Sequence, residues 1–430
     1  MARSYQTFPA DNFQVIKTKL LNWSSRFNIF VLLDTHAYDL PLRAHECLVA
    51  AGESLHIRPA AGQGLEALDE FIEGRGDWIF GHLSYDLKNR IEPLQTRHPD
   101  HLGFDDFYLF VPRIVCQLDE AGIRIGCMED SPADVYREIM SMPAELSAGG
   151  PVEGNFRQRC SEQEYLDAVN ALQAHIRRGD CYEINYCLEF FSEQARMNPP
   201  AVYTRLTELS PNPFSAYYHN GHQYLLCASP ERYLRRKGRQ LISQPIKGTM
   251  ARQKDRPAED LAQEEKLRNS PKERSENLMI VDLVRNDLSR ICVEGSVRVD
   301  ELLGIYAFPQ VFQMVSTVSG ELATGKTFSD ILRATFPMGS MTGAPKRKVM
   351  ELTDRYEKSR RGLFSGAVGY FDPQGDFDFN VVIRSILYNA ETGYLSFPAG
   401  SAITHYAEPA QEYAECMLKA AAIRQVLSGG

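Results

Sequence analysis

Apolar residues recur in short runs along the first third of the chain: Asn28–Leu33, Trp78–Tyr85, Phe107–Cys116 and Ile123–Cys127. Their length predicts an antiparallel sheet with a few helices. Residues 141–160 then hold two Pro, three Gly and few apolar side chains, which predicts a linker or surface crossing. After it the period changes. Leu166, Val169, Leu172 and Ile176 form a helical stripe opened by the capping box Ser161/Glu164 and closed at Gly179. Strands are predicted over 181–191, 223–228, 233–236 and 240–246, with a hairpin turn at Lys237-Gly238. A second helix opens at Ser270, with Pro271 at its first position, and runs to about Arg290. Strands over 304–321 precede a loop of small residues, Gly339 to Lys346, and a helix to about Lys358. A meander over 362–371, 377–389 and 393–398 and a last helix over about 409–427 complete the chain. Strand runs followed by helix runs, with few βαβ alternations, predict an α+β fold.

The chain has 430 residues and a formal net charge of −9. That balance argues against nucleic acid or an anionic membrane as partner. Hydrophobic residues at 43% and charged residues at 24% are ordinary for a globular protein. The nine Cys are scattered singly without metal-ligand spacing. They read as reduced, mostly buried thiols, and we expect a soluble, cytoplasmic protein with no membrane contact. The start of the chain lacks the apolar core of a signal peptide.

Four features can carry chemistry. In the last helix Glu412, Glu415 and Lys419 share one face. In the Ser270 helix Glu276 shares a face with apolar Met279, Ile280 and Leu283, where a carboxylate is costly unless paired or metal-bound. An oxygen-only set of Glu276, Glu412 and Glu415 suits Mg²⁺ rather than zinc, although spacing alone favours solvated helix charge with an ordinary Glu415–Lys419 pair. Lys247 ends an apolar strand before Gly248, as a desolvated nucleophile or base would, or as a strand-end Lys reaching solvent would. Glu231, sixteen residues earlier, is a candidate general acid or an edge-strand charge. The Gly339–Lys346 loop fails the Walker pattern but offers free N–H groups suited to a carboxylate. The run 398–402 is similar, with Arg384 nearby able to hold a carboxylate bidentately.

At these residues the chain resembles the chorismate-utilising enzymes. The resemblance runs from about 160 to 425 through SPE (229–231), PIKGT (245–249), ENLMIVDLVRNDLSRIC (276–292), FPMGSMTGAPK (336–346), RRGLFSGAVGYF (360–371), Ile383-Arg384-Ser385 and Glu412-Tyr413-Ala414-Glu415. It is weaker before that, mainly at GDWIFGHLSYDLKNRIE (76–92). It implies two packed antiparallel sheets with helices outside and the site between them. An N-terminal part, 1–145, and a chorismate-binding part, 155–427, would interleave in one globule.

Within the family Lys247 resembles the aminodeoxychorismate synthase component I branch, whereas anthranilate synthases usually read Ala there. The resemblance implies formation of 4-amino-4-deoxychorismate, the precursor of p-aminobenzoate and folate, from chorismate and ammonia. It casts Lys247 as nucleophile at C2 and Glu231 as general acid on the C4 hydroxyl. Mg²⁺ would be held by Glu276 and Glu415 with Glu412 assisting. Arg384, Lys419, Ser340, Thr249, Gln313 and the backbone at Gly400 and Ser401 would surround the substrate. Glu183 stands where the isochorismate branch has a Lys and the amino-transferring branch usually has Gln, and is expected to approach Lys247. Gln313 replaces the family's His, Phe364 replaces a Tyr, and Ala402 replaces a Gly. No Cys lies in the G-x-C-x-G turn of a glutaminase, so ammonia would come from a separate glutamine amidotransferase subunit. An anthranilate synthase large subunit and a chorismate-binding regulatory protein without turnover are the alternatives.

Overall fold

A computed structural model describes residues 3–10, 12–38, 45–60, 62–146, 150–308 and 310–429. The pattern of alternating apolar residues becomes antiparallel ladders throughout. The strand Phe107–Asp119 is the branch point of the main sheet. One of its edges pairs with Cys47–Ile57 along nearly its whole length, bent by a register shift between Glu53 and Leu55. Its other edge is divided: Phe107–Phe110 takes Ile79–Leu83, and Ile114–Asp119 takes Gly122–Cys127.

Two arms leave this strand. One passes through Ile29–Asp34, Phe214–Asn220, Gln223–Ser229, Ser385–Asn389 and Tyr394–Ser396. The other passes through Ala367–Phe371, Phe377–Asn380, Arg232–Lys237, Gln240–Gln244 and Val311–Glu321. N-terminal strands therefore pair with strands from the second half in both arms. Val31 and Leu225 from one arm share a core with Val368, Phe379 and Leu234 from the other, so the two arms pack as facing sheets. The helices Phe13–Trp23, Glu162–Arg177, Pro199–Leu209 and Pro409–Ser428 bury Leu20, Tyr165, Val202 and Ile423 in a second core outside the first arm. The helix Pro271–Ser289 lies against the second arm. This is the α+β arrangement of packed antiparallel sheets with helices outside, with the two sheets joined through one bent strand. Among the described residues no helix is long and apolar enough to cross a membrane, and all nine Cys are buried and free.

A third, small sheet sets Glu183–Leu188 between Gly343–Ala344 and Ala399–Ile403. It exists because the predicted strand over 181–191 divides at Glu189. That buried carboxylate accepts from Tyr394, Ser396 and Arg159, and only Phe190–Ser192 continues into the main sheet. Two further predicted strands also break. The run 240–246 ends at Gln244, because Pro245 has no N–H for the ladder, and Ile246–Ala251 starts afresh. The run 377–389 is interrupted over 381–384, where Arg384 has φ 49°. Of the predicted linker, residues 147–149 lie outside the described residues; its ends form the close of the helix Pro132–Ser141 and the short strand Arg157–Gln158.

Candidate active site

Each broken strand delivers a candidate side chain. Lys247 lies just after Pro245, where the register against Val311–Glu321 shifts between Ile246 and Thr249. Gly248 makes that bulge at φ 90°, a conformation that disfavours a Cβ. The bulge leaves Lys247 outside the regular ladder, and its ammonium donates to Glu183 Oε1 at 2.9 Å. The pair is dry, with side-chain exposures of 12% and 1%. Burial alone would lower the Lys247 pKa, but Glu183, Glu276 and Glu231 outweigh it and hold the ammonium well above its ordinary range.

Glu231 follows Pro230 in a tight turn in which its N–H donates to Ser229 Oγ at 3.2 Å. It is 4% exposed. Burial pushes its carboxyl up to about 7, against the pull of the Ser340 hydroxyl, Lys247, the Ile246 backbone and Arg384. Ser340 lies in the turn Gly339–Met341, and its Oγ reaches no partner at full hydrogen-bond geometry. The Arg384 guanidinium makes no hydrogen bond or ion pair among the described residues. Burial lowers its pKa, while Glu231 and Tyr38 oppose that. A guanidinium without a hydrogen-bond partner among the described residues, beside a carboxyl near neutrality, has the chemistry to receive an external carboxylate.

The helices Pro271–Ser289 and Pro409–Ser428 bring Glu276, Glu412 and Glu415 together. A lysine is already among them. Lys272 Nζ lies 3.1 Å from Glu412, 3.9 Å from Glu276 and 3.9 Å from Glu415. Glu276 Oε1 and Glu412 Oε2 are buried without a hydrogen-bond partner among the described residues. Burial raises Glu276 to about 7, with Lys247 opposing and Glu183 adding to it. Burial would raise Glu415 too, but Lys419, Lys272 and Lys247 bring it below its ordinary value. Among the described residues no three carboxylates, thiols or imidazoles already stand at ligating distance from one point. The donor chemistry nevertheless fits an oxygen-ligated cation such as Mg²⁺: three carboxylates, two orphaned oxygens, and an ammonium standing where a cation is wanted. Lys419 bridges this cluster to the small sheet, donating to Glu415 at 2.7 Å and to Gly400 O at 2.8 Å.

Three expected contacts look different in space. The Ser401 hydroxyl is 2.9 Å from Tyr165 OH in the helical core, so this residue has only its backbone to offer a substrate. Thr249 is exposed. Gln313, opposite Thr249 in the ladder, is fully buried with both amide atoms unpartnered.

Two site residues escaped the sequence reading. Glu273 sits three residues after the N-cap Ser270, the position of a capping-box partner, and its N–H does donate to Ser270 Oγ. Its carboxylate turns away instead: Glu273 Oε2 would lie 3.1 Å from a Cβ built on Gly248. Burial raises its pKa, with Lys272 opposing. Lys272 was legible only as the i−4 neighbour of Glu276.

A family model described as chorismate binding enzyme matches residues 43–425. The chain is 35% identical over 336 residues to aminodeoxychorismate synthase component 1 of Klebsiella aerogenes, covering 78% of this chain and 74% of that protein. It is 34% identical over 355 residues to anthranilate synthase component 1 of Thermus thermophilus, covering 80% and 76%. The fold superposes on anthranilate synthase component I from Streptococcus pneumoniae with a TM-score of 0.77 at 25% identity, over 90% of this chain and 94% of that one.

Proposed function

The chain belongs to the chorismate binding enzyme family, and from that premise we propose that it aminates chorismate at C4 to give 4-amino-4-deoxychorismate. Similarity alone does not choose the reaction, since the aminodeoxychorismate and anthranilate synthase relatives are 35% and 34% identical. The observation that carries the reading is Lys247, a dry amine paired with Glu183, whose charge is felt by the protonatable Glu231.

Hydroxide is a poor leaving group. Glu231, raised to about 7, holds its proton in a large share of molecules at neutral pH and passes it to the C4 oxygen as that bond breaks. Lys247 adds at C2, and ammonia then enters at C4 as Lys247 departs. Arg384, Ser340, Gln313, Thr249 and the backbone at Gly400 and Ser401 hold and orient the two carboxylates. Glu276 and Glu415, with Glu412, would hold Mg²⁺, which supplies a positive charge to polarise the ring carboxylate. Ammonia comes from a separate glutamine amidotransferase subunit, as the nine buried thiols support. The reaction runs in the cytoplasm, where those thiols stay reduced.

The test is product analysis by mass spectrometry with chorismate, Mg²⁺ and ammonium, for the wild type and Lys247→Ala. Aminodeoxychorismate from the wild type and its loss in the variant support the reading. Anthranilate with pyruvate replaces it with the anthranilate synthase reaction, and binding without product replaces it with a regulatory role.

A further inference from the structure

Lys247 must shed a proton before its nitrogen can attack carbon, yet everything facing it favours the ammonium. Glu183 faces it from the small sheet, Glu231 from the Ser229–Arg232 turn, Glu273 and Glu276 from the helix Pro271–Ser289, and Glu415 from the last helix. Only one of these carboxylates, among the described residues, lies within ion-pair distance: Glu183 Oε1 at 2.9 Å. Glu183 is almost fully buried, and its second oxygen, Oε2, has no partner. Among the described residues no other group therefore competes for a proton placed on this carboxyl.

We propose that Glu183 is the base that takes the Lys247 proton before attack and returns it after the amine departs. The inference rests on the reading of Lys247 as nucleophile. In the first step the Nζ–H bond breaks and an Oε1–H bond forms, turning a buried ion pair into two neutral groups. Burial favours that exchange, because it removes two buried charges at once, whereas losing the proton to solvent would leave one charge alone. The freed lone pair bonds to C2, the two conjugated ring double bonds each shift one position toward C4, and the C4–O bond breaks with the Glu231 proton leaving in water. Ammonia next bonds to C4, the double bonds shift back, and the C2–N bond breaks. That returns neutral Lys247, which regains its proton from Glu183.

The experiment follows the covalent step alone. With chorismate and Mg²⁺ but no ammonia, intact-protein mass spectrometry reads the adduct on Lys247, of chorismate mass less water, from pH 6 to 10. In Glu183→Gln the adduct forms about 100-fold or more slowly at pH 7 and recovers tenfold per pH unit as hydroxide replaces the base. Glu183→Asp, which keeps a carboxylate, is slower than the wild type but keeps its pH profile. A Glu183→Gln variant that is as fast as the wild type, or slow by the same factor at every pH, overturns the role of Glu183 while leaving the amination reading intact. A wild type that yields neither adduct nor aminodeoxychorismate overturns both.

Discussion

Lys272 reaches from the first turn of one helix to Glu412 in the first turn of another, 3.1 Å away, and it does so inside the group of carboxylates that suits a divalent cation. An ammonium and a divalent ion cannot both take the same oxygens. Lys272 is 47% exposed, so it is free to swing aside. The Lys272→Met variant should bind Mn²⁺ or Mg²⁺ about tenfold more tightly by calorimetric titration, roughly 1.4 kcal/mol. Without the metal the variant should melt lower, because three carboxylates then face one another with less counter-charge. Unchanged or weaker metal binding would show that Lys272 and the metal do not compete.

Glu231 links activity to stability with opposite signs. Its carboxyl binds a proton more tightly folded, at about 7, than unfolded, at the ordinary carboxylate value near 4.5. Stability from this group is therefore full below pH 4.5 and is lost as pH rises through 7. The Glu231→Gln variant should lose about 10²- to 10⁴-fold in amination rate. At pH 8 it should be more stable than the wild type, by on the order of 3 kcal/mol. Denaturant unfolding at pH 5 and pH 8 checks the sign, and a variant equally destabilised at both would refute it. The wild-type rate should fall above about pH 7 as the acid form is lost.

The Gln313 amide is held in a dry strand with no hydrogen-bond partner among the described residues. Replacing it with Leu removes that penalty, so Gln313→Leu should be more stable by about 1–2 kcal/mol. If the amide meets substrate, kcat/KM should fall at the same time. A stability loss on substitution would mean that the amide is already satisfied.

Gly248 is where the strand bulges behind Lys247. A Cβ there would meet Leu267 Cδ1 at 3.0 Å and Glu273 Oε2 at 3.1 Å, at φ 90°. Gly248→Ala should cost about 1–3 kcal/mol in thermal or denaturant melts and lower kcat by displacing Lys247 and Glu273. A variant with wild-type melting and kcat would show that the bulge is not needed.

Periodicity made most elements legible. The stripe Leu166 to Ile176 and its Ser161/Glu164 cap form the helix Glu162–Arg177 with both capping hydrogen bonds. The early apolar runs form strands within a residue or two of their expected ends, apart from Phe107–Asp119, which runs three residues further. The places where the pattern misled are the site itself. Lys247 and Arg384 stand beside breaks in runs that read as continuous strands, and Glu183 opens the segment that a third break, at Glu189, splits from the main sheet, because a hydrophobic run looks the same whether or not its ladder is interrupted. Pro245 announced one break; the buried Glu189 and the positive φ of Arg384 announced nothing. Glu273 stands at the capping-box position after Ser270 yet turns its carboxylate toward Gly248, since the same spacing serves either purpose.

By itself, the order of residues determined the α+β elements, the family and the list of charged side chains able to do chemistry, because periodicity, caps and motifs are local properties. The approach of Glu183 to Lys247 across 64 residues was implied by the family resemblance and is realised at 2.9 Å, whereas only the tertiary structure paired Lys272 with Glu412 across 140. It turned the Ser401 hydroxyl away into the helical core. Those outcomes depend on how two sheets and their covering helices pack, and burial then sets each group's protonation through desolvation and the charges that packing brings within reach.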